Sequence, residues 1–264
     1  MNITLDSNVW EKTVSSIETD ENKYFQLKKL ISSKKVKAYI CEIALSLESI
    51  TKKERATFWA NYEPLFENTT LGGTHNTDGS ITIHNHFCFS PNNEKHPGLH
   101  QTLIEKLELA NALNFKVLRM TNLGTIRTSE IPKEMLEDSR TIDDFWEYAQ
   151  KLYDCAEYIN EIKCGSYEYD KFIDKHSYRG LSIPYLFKEM DAYNTKVFAK
   201  LIAEWVDGDS IAAHYAFGND IFCTEDQAKS TGQKSVFSQC NVAHIKNKFG
   251  INILSIDEVL DLVD

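Results

Sequence analysis

The stretch Val206–Asp226, VDGDSIAAHYAFGNDIFCTED, decides how the rest of the chain is read. Ile211, Ala212, Tyr215 and Ala216 fall on one side of a helical repeat, which predicts a short helix over about 209–217 with one buried face. Gly218 is its expected stop. Ile221, Phe222 and Cys223 then form an apolar run suited to a parallel strand covered on both faces. In open α/β sheets, groups just past the carboxyl ends of strands line the ligand crevice. Asp226 falls at such a position, and Asp209 falls at the expected amino end of the helix. Each also has a plainer reading, because Asp is a preferred N-cap.

Working outward, the alternation of strand and helix recurs at both ends of the chain. Ile3 and Leu5 alternate with polar residues and lead into Asp6-Ser7-Asn8-Val9, which reads as a first strand with a carboxylate at its carboxyl end. Phe25, Leu27, Leu30 and Ile31 predict a helix over about 22–32, and Val36 to Cys41 predicts a second strand. The segment Cys41–Ile50, CEIALSLESI, runs from strand into helix and carries two acids, Glu42 and Glu48. Six residues at about 100° each set them about 240° apart, so a helix cannot aim both at one point. Glu42 suits a helix amino end. Leu103, Ile104, Leu107 and Ala110 predict a further helix, Phe115 to Met120 the third strand, and Ile251 to Leu254 a fifth strand before a terminal helix from Ile256. Tyr193, Val197, Phe198, Leu201, Ile202 and Trp205 predict an amphipathic helix ending at Gly208. The arrangement is α/β with a parallel sheet.

At 264 residues and 42% hydrophobic content the chain can bury a substantial core. The start has no basic flank followed by a long apolar run, and no window approaches a membrane span, so a cytoplasmic protein without a membrane partner is expected. Six cysteines are scattered with no CxxC pair, which argues for free thiols over a disulfide framework or a zinc ribbon. The net charge of −10 speaks against a polyanionic partner only as a sum. Lys23 to Arg55 holds nine Lys and Arg against three acids, and Gln227 to Gly250 holds four Lys and no acid. Ser129 to Asp174 concentrates thirteen acids against five bases, so the asymmetry permits a polyanionic ligand.

Four motifs in order carry a family resemblance: Asp-Ser-Asn-Val after the first strand, Leu-Ser-Leu-Glu in the helix after the second, Gly-Asp-Ser-Ile-Ala-Ala-His-Tyr-Ala opening a later helix, and Phe-Cys-Thr-Glu-Asp after the fourth strand. Together they resemble the PIN-domain nucleases over about residues 1–50 and 193–264. The resemblance implies a three-layer α/β/α sandwich around a central parallel sheet. It also implies a catalytic and metal-binding set of Asp6, Glu48, Asp209 and Asp226 holding Mg²⁺ or Mn²⁺, with Asn8 and Thr224 supporting it. Hard divalent cations take oxygen ligands, and three or four carboxylates meeting without one would repel. Lys34, Lys35, Lys52 and Lys53 are candidates for contacts to a nucleic-acid backbone.

PIN domains are often about half this length, and here some 140 residues separate Glu48 from the resumed pattern at Tyr193. One domain over 1–264 is expected, elaborated at about 61–100 and 129–180 by segments lacking a sheet of their own. Phe145, Trp146, Ala149, Leu152, Tyr153, Ala156 and Ile159 form an apolar helical stripe suited to core or a subunit interface, which leaves a homo-oligomer open. Five histidines, His75, His84, His86, His96 and His100, fall close together. His84-Asn85-His86 on a strand would place two imidazoles on one face, as a zinc site with His96, His100 or Cys88 requires. Without a recognisable ligand spacing, a polar loop with surface histidines is the expected reading.

The expected function is therefore metal-dependent hydrolysis of phosphodiester bonds in RNA, less readily DNA, by an endoribonuclease of the toxin or defence type, with a protein antitoxin or regulator as a potential partner. The alternative is an inactive binding or scaffold module of the same fold, in which the acids are caps. A phosphatase of the haloacid-dehalogenase kind would use Asp6 as nucleophile, but position 8 is Asn where that chemistry needs a carboxyl general acid.

Overall fold

Apolar residues in the short strands alternate between two buried faces, and that alternation builds the layers. A computed structural model describes residues 1–20, 22–48, 65–90, 99–119, 130–136, 142–178, 186, 189–226, 228 and 234–263. Strands β1 (Asn2–Leu5), β2 (Lys37–Cys41), β5 (Lys116–Leu118), β6 (Ile221–Cys223) and β7 (Asn252–Leu254) form a five-stranded sheet in the order β5-β2-β1-β6-β7. Every pairing in it is parallel, with Thr4 opposite Tyr39 in β2 and opposite Phe222 in β6.

One face presents Ile3, Leu5, Ala38, Ile40, Val117, Ile221 and Cys223 to helices α1 (Ser7–Ser15), α2 (Lys23–Ser32), α4 (Gln101–Ala112) and α9 (Ile256–Val263). These supply Val9, Trp10, Leu27, Ile31, Leu103, Leu107, Ile256 and Val259 to one continuous core. The residues between, Cys41, Leu118 and Phe222, point to the other face. That face is covered by α3 (Glu42–Glu48), α5 (Ile142–Glu161), α6 (Tyr167–Lys175), α7 (Ala192–Phe217) and α8 (Gln239–Phe249). The result is a three-layer α/β/α fold, with helices on both faces as an all-parallel sheet requires.

Two expectations are corrected. The segment Tyr193 to Phe217 is one helix, α7, and Gly208 does not end it. A Cβ added at Gly208 would lie 3.0 Å from Gly165 Cα and 3.3 Å from Ile159 Cγ2, so glycine serves close packing against the α5–α6 turn. The true cap is Asp191, whose side chain accepts from the Asn194 backbone N–H at 2.7 Å, and Gly218 closes the helix at φ 70°. The second correction concerns the elaborated middle, which has a sheet of its own. Strands β3 (Leu65–His75) and β4 (Ile81–Ser90) form an antiparallel pair with a register shift between Thr70 and Gly72. His84 and His86 therefore lie on a strand, with His86 opposite Thr69. A turn over Asn76–Ser80 joins the pair, with the Asp78 carboxylate accepting from the Ser80 N–H at 2.9 Å.

The acidic segment after Ser129 packs into the main fold. Cys155, Ile159 and Cys164 share a core with Ile211, Phe222 and Ile245, while Phe172 and Ile173 share one with Cys41, Leu118 and Phe198. The predicted stripe on α5 is only partly covered: Ile159 is buried, whereas Phe145, Trp146 and Tyr153 are 46%, 65% and 59% exposed. Among the described residues, no helix is long and apolar enough to cross a membrane. Cys41, Cys155, Cys164, Cys223 and Cys240 are free.

Candidate functional site

Strand order locates the site before any side chain is considered. The chain adds β2 and β5 on one side of β1, then β6 and β7 on the other, so the order reverses between β1 and β6. Ligand crevices of open α/β sheets lie outside the carboxyl ends of strands at this switch point. Asp6 follows β1 and Thr224 follows β6, and the Asp6 N–H donates to the Cys223 carbonyl at 2.9 Å, which extends the pairing to the crevice itself.

The Asp6 carboxylate is held by three donors. Its Oδ1 accepts from the Ser7 N–H at 2.7 Å, and its Oδ2 accepts from Asn8 Nδ2 at 2.8 Å and from Thr224 Oγ1 at 2.6 Å. It thereby also caps α1. Burial pushes its pKa above the ordinary Asp value; the hydrogen bonds from Thr224, Ser7 and Asn8 oppose the shift, and the negative charge of Asp226 adds to it. Thr224 is 5% exposed and works in both directions, because its hydroxyl also accepts the Asp226 N–H at 3.0 Å. Asn8 Oδ1 accepts the Glu225 N–H at 3.1 Å, tying the loop after β6 to the start of α1. Glu225 anchors the same loop from its other side, accepting from Lys23 Nζ at 2.7 Å and from the Ile256 N–H at 3.0 Å. Those contacts raise the Lys23 pKa, with the Glu225 hydrogen bond the largest cause. Asp226 is left exposed at the mouth, and its Oδ1 accepts from the Ala228 N–H at 2.7 Å.

Asp209 reaches the same edge by another route. In α7, His214 Nδ1 lies 2.8 Å from Thr4 Oγ1, while the Ser210 carbonyl lies 3.6 Å from Cys41 Sγ, two positions further along the paired strands. The helix thus runs antiparallel to the strands, and Asp209 stands about 7.5 Å beyond His214 toward the carboxyl edge at 1.5 Å per residue. It is 5% exposed and borders a cavity of about 530 Å³ walled by Tyr153, Ile159 and Trp205. Its place mid-helix excludes the N-cap reading, since interior N–H groups already bond within the helix. Burial raises the Cys41 thiol to about 12, and the nearby Asp6 charge adds to the shift.

Of the predicted set, Asp6, Asn8, Thr224 and Asp226 come together, and Asp209 lies at the same sheet edge. Glu48 ends α3, and its side chain lies outside the described residues, as do Lys52, Lys53 and His96. Lys34 and Lys35 precede β2 and stand at the opposite, amino edge of the sheet. Glu42, expected to point elsewhere, is fully buried as the first residue after β2, with Arg119 Nε 3.9 Å from its Oε2. An acid directly after a buried strand was the available signal for a carboxylate at this edge. Among the described residues, no three of His, Cys, Asp and Glu form a group able to hold a metal ion.

Fold and site together define a three-layer α/β/α protein with an acidic crevice at the switch point of its sheet. No protein-family model, characterised protein or solved structure matches the chain.

Proposed function

We propose that the protein is a divalent-metal-dependent endoribonuclease of PIN-like type, acting at the Asp6 crevice. The observation that carries this reading is a half-buried carboxyl at the switch point, fixed by three donors, with its ionisation opposed by desolvation and by a second carboxylate. A cation relieves that opposition. The residues fit Mg²⁺ or Mn²⁺ in kind, because such ions take hard oxygen ligands and can be bound through one or two carboxylates plus substrate phosphate. Asp6 and Asp226 would hold the ion, with Asp209 and Glu48 completing the set by resemblance. When bound, it supplies charge neutralisation for the phosphate and a water of lowered pKa.

The chain's own residues do the positioning. Thr224 and Asn8 hold the Asp6 carboxylate in one orientation and pin the loop that carries Asp226. A toxin or defence role with a protein antitoxin would suit such an enzyme. The scaffold alternative draws on the same geometry, since Asp6 caps α1 and Asp226 accepts the Ala228 N–H.

The test is incubation of wild type and Asp6→Asn with a mixed RNA pool in Mg²⁺, Mn²⁺ or EDTA, followed by mapping of the cut ends. Cleavage should need the metal and fall by at least about a hundredfold in the variant, which keeps the shape and loses a ligand charge. No cleavage of varied RNA and DNA by wild type would transfer the assignment to the scaffold, and full activity in Asp6→Asn would end the metal-site reading.

A further inference from the structure

Beside the α5–α6 turn, α5 and α7 part and leave the cavity of about 530 Å³ that Asp209 borders. Its apolar walls are open to solvent: Tyr153 is 59% exposed, and Leu152, Ala156 and Trp205 are half-buried. Tyr169 packs 4.7 Å from the Trp205 ring and fixes it in place. Small organic ligands take enclosures of about 300–1,000 Å³ with apolar walls and a few convergent polar groups, and this cavity is of that kind.

Its polar groups decide what charge it suits. Glu157, Glu161 and Asp209 line the cavity, and no Lys, Arg or His is among its lining residues. Neither Glu157 nor Glu161 makes an ion pair among the described residues, and Glu157 accepts only from the Tyr153 hydroxyl at 3.5 Å. The two stand one turn apart on α5, a like-charged spacing that destabilises a helix unless a cation sits between them. Asn160 commits its side-chain N–H groups to Ser166 Oγ at 2.7 Å and Asp170 Oδ2 at 3.0 Å, so it offers the cavity only an acceptor oxygen. The carboxyl end of α5 and the amino end of α6 meet here with partial charges of about one half and opposite sign, which offset each other. Negative charge and acceptors therefore face aromatic and aliphatic walls. A metal ion does not suit them, because among the described residues no three of His, Cys, Asp and Glu form a group able to hold one. An organic ammonium does: it donates to every acceptor, is drawn to an aromatic face, and carries methylenes that cover apolar surface.

We propose that this cavity binds a linear polyamine between α5 and α7. Its ammonium groups pair with Glu157, Glu161 and Asp209, and its methylenes lie along Leu152, Ala156 and the Trp205 ring. The inference stands apart from the nuclease reading, because the charge that carries it, on Glu157 and Glu161, is outside the Asp6 crevice. Asp209 alone is shared with the proposed metal set, so the test leaves it in place and is run without metal.

The probe is spermidine, titrated calorimetrically in EDTA at constant ionic strength into wild type, the Glu157→Gln/Glu161→Gln double variant and Tyr153→Ser. Glu157, Glu161 and Tyr153 are all exposed, so the variants should keep at least the wild-type thermal midpoint. Binding should weaken about tenfold in the double variant, the scale of one lost charged hydrogen bond. Tyr153→Ser keeps every charge and should still weaken binding severalfold, through loss of the aromatic wall. No binding to wild type, or unchanged affinity in either variant, would overturn the assignment. A trilysine peptide blocked at both ends carries the same charge as spermidine and should bind more weakly, since its amide groups would lie against the apolar wall. Tighter binding of the peptide would also overturn the assignment, and would give the cavity to a basic segment of a protein partner.

Discussion

His214 is a residue whose chemistry is strongly altered by its surroundings. Its ring is buried at 1% exposure, edge-on to Phe222 with centroids 5.6 Å apart, and bonded through Nδ1 to Thr4. Burial lowers its pKa from 6.5 to about 3, against a small opposing effect of Asp220. Above pH 6.5 the ring is neutral in the folded and unfolded states alike, so the full stability is present. Below it the unfolded chain takes up a proton that the folded chain refuses, and stability is lost as the pH falls toward 3. By pH 5 the loss should reach about 2 kcal/mol. His214→Asn, which can still face Thr4, should remove that part of the slope in denaturant titrations at pH 7 and pH 5. Equal slopes in the two proteins would show that the ring titrates normally.

Helix α7 decides how the elements meet. It crosses the sheet with Val206 and Ala213 against Cys41 and Leu118, and with Ile211 and Ala212 against Phe222. Glycine inside a helix costs about 1 kcal/mol relative to alanine, which is why Gly208 reads as a helix end in the sequence. The contact with Gly165 reverses the expected effect of a substitution. Gly208→Ala should destabilise the protein by about 1–3 kcal/mol through overpacking, although alanine is the better helix former. Were Gly208 a helix end away from the turn, the same change would leave the midpoint of urea unfolding unmoved or raise it.

On the scale of the whole molecule, α5 and α6 share buried clusters with β2, β6 and α7. Thermal unfolding followed by far-ultraviolet circular dichroism and by tryptophan fluorescence should therefore give coincident transitions, with Trp10 and Trp205 reporting from the two sides of the sheet. Ile159→Ala, which opens the shared core, should lower both by an amount equivalent to about 2–5 kcal/mol. Two separated transitions, with only one moved by Ile159→Ala, would mean that the acidic segment folds apart from the sheet.

The sheet was legible in the sequence because its signals are local: apolar strands of a few residues and Gly218 as a stop each act within one turn of chain. The alternation over Ile81–Ser90 and the Asn-Thr-Asp-Gly turn before it are equally local signals of the β3–β4 pair. The continuity of α7 was not legible, since the contact that favours it lies between Gly208 and Gly165, 43 positions apart. At the crevice, the sequence placed Asp6 and Asp226 at strand ends. Only the pairing of β1 with β6 brought Thr224 within 2.6 Å of the Asp6 carboxylate, across 218 positions. Residue type and periodicity determine which groups can stand at a strand's carboxyl end. Which ends become neighbours depends on the strand order, which is set by how the helices bury both faces of the sheet.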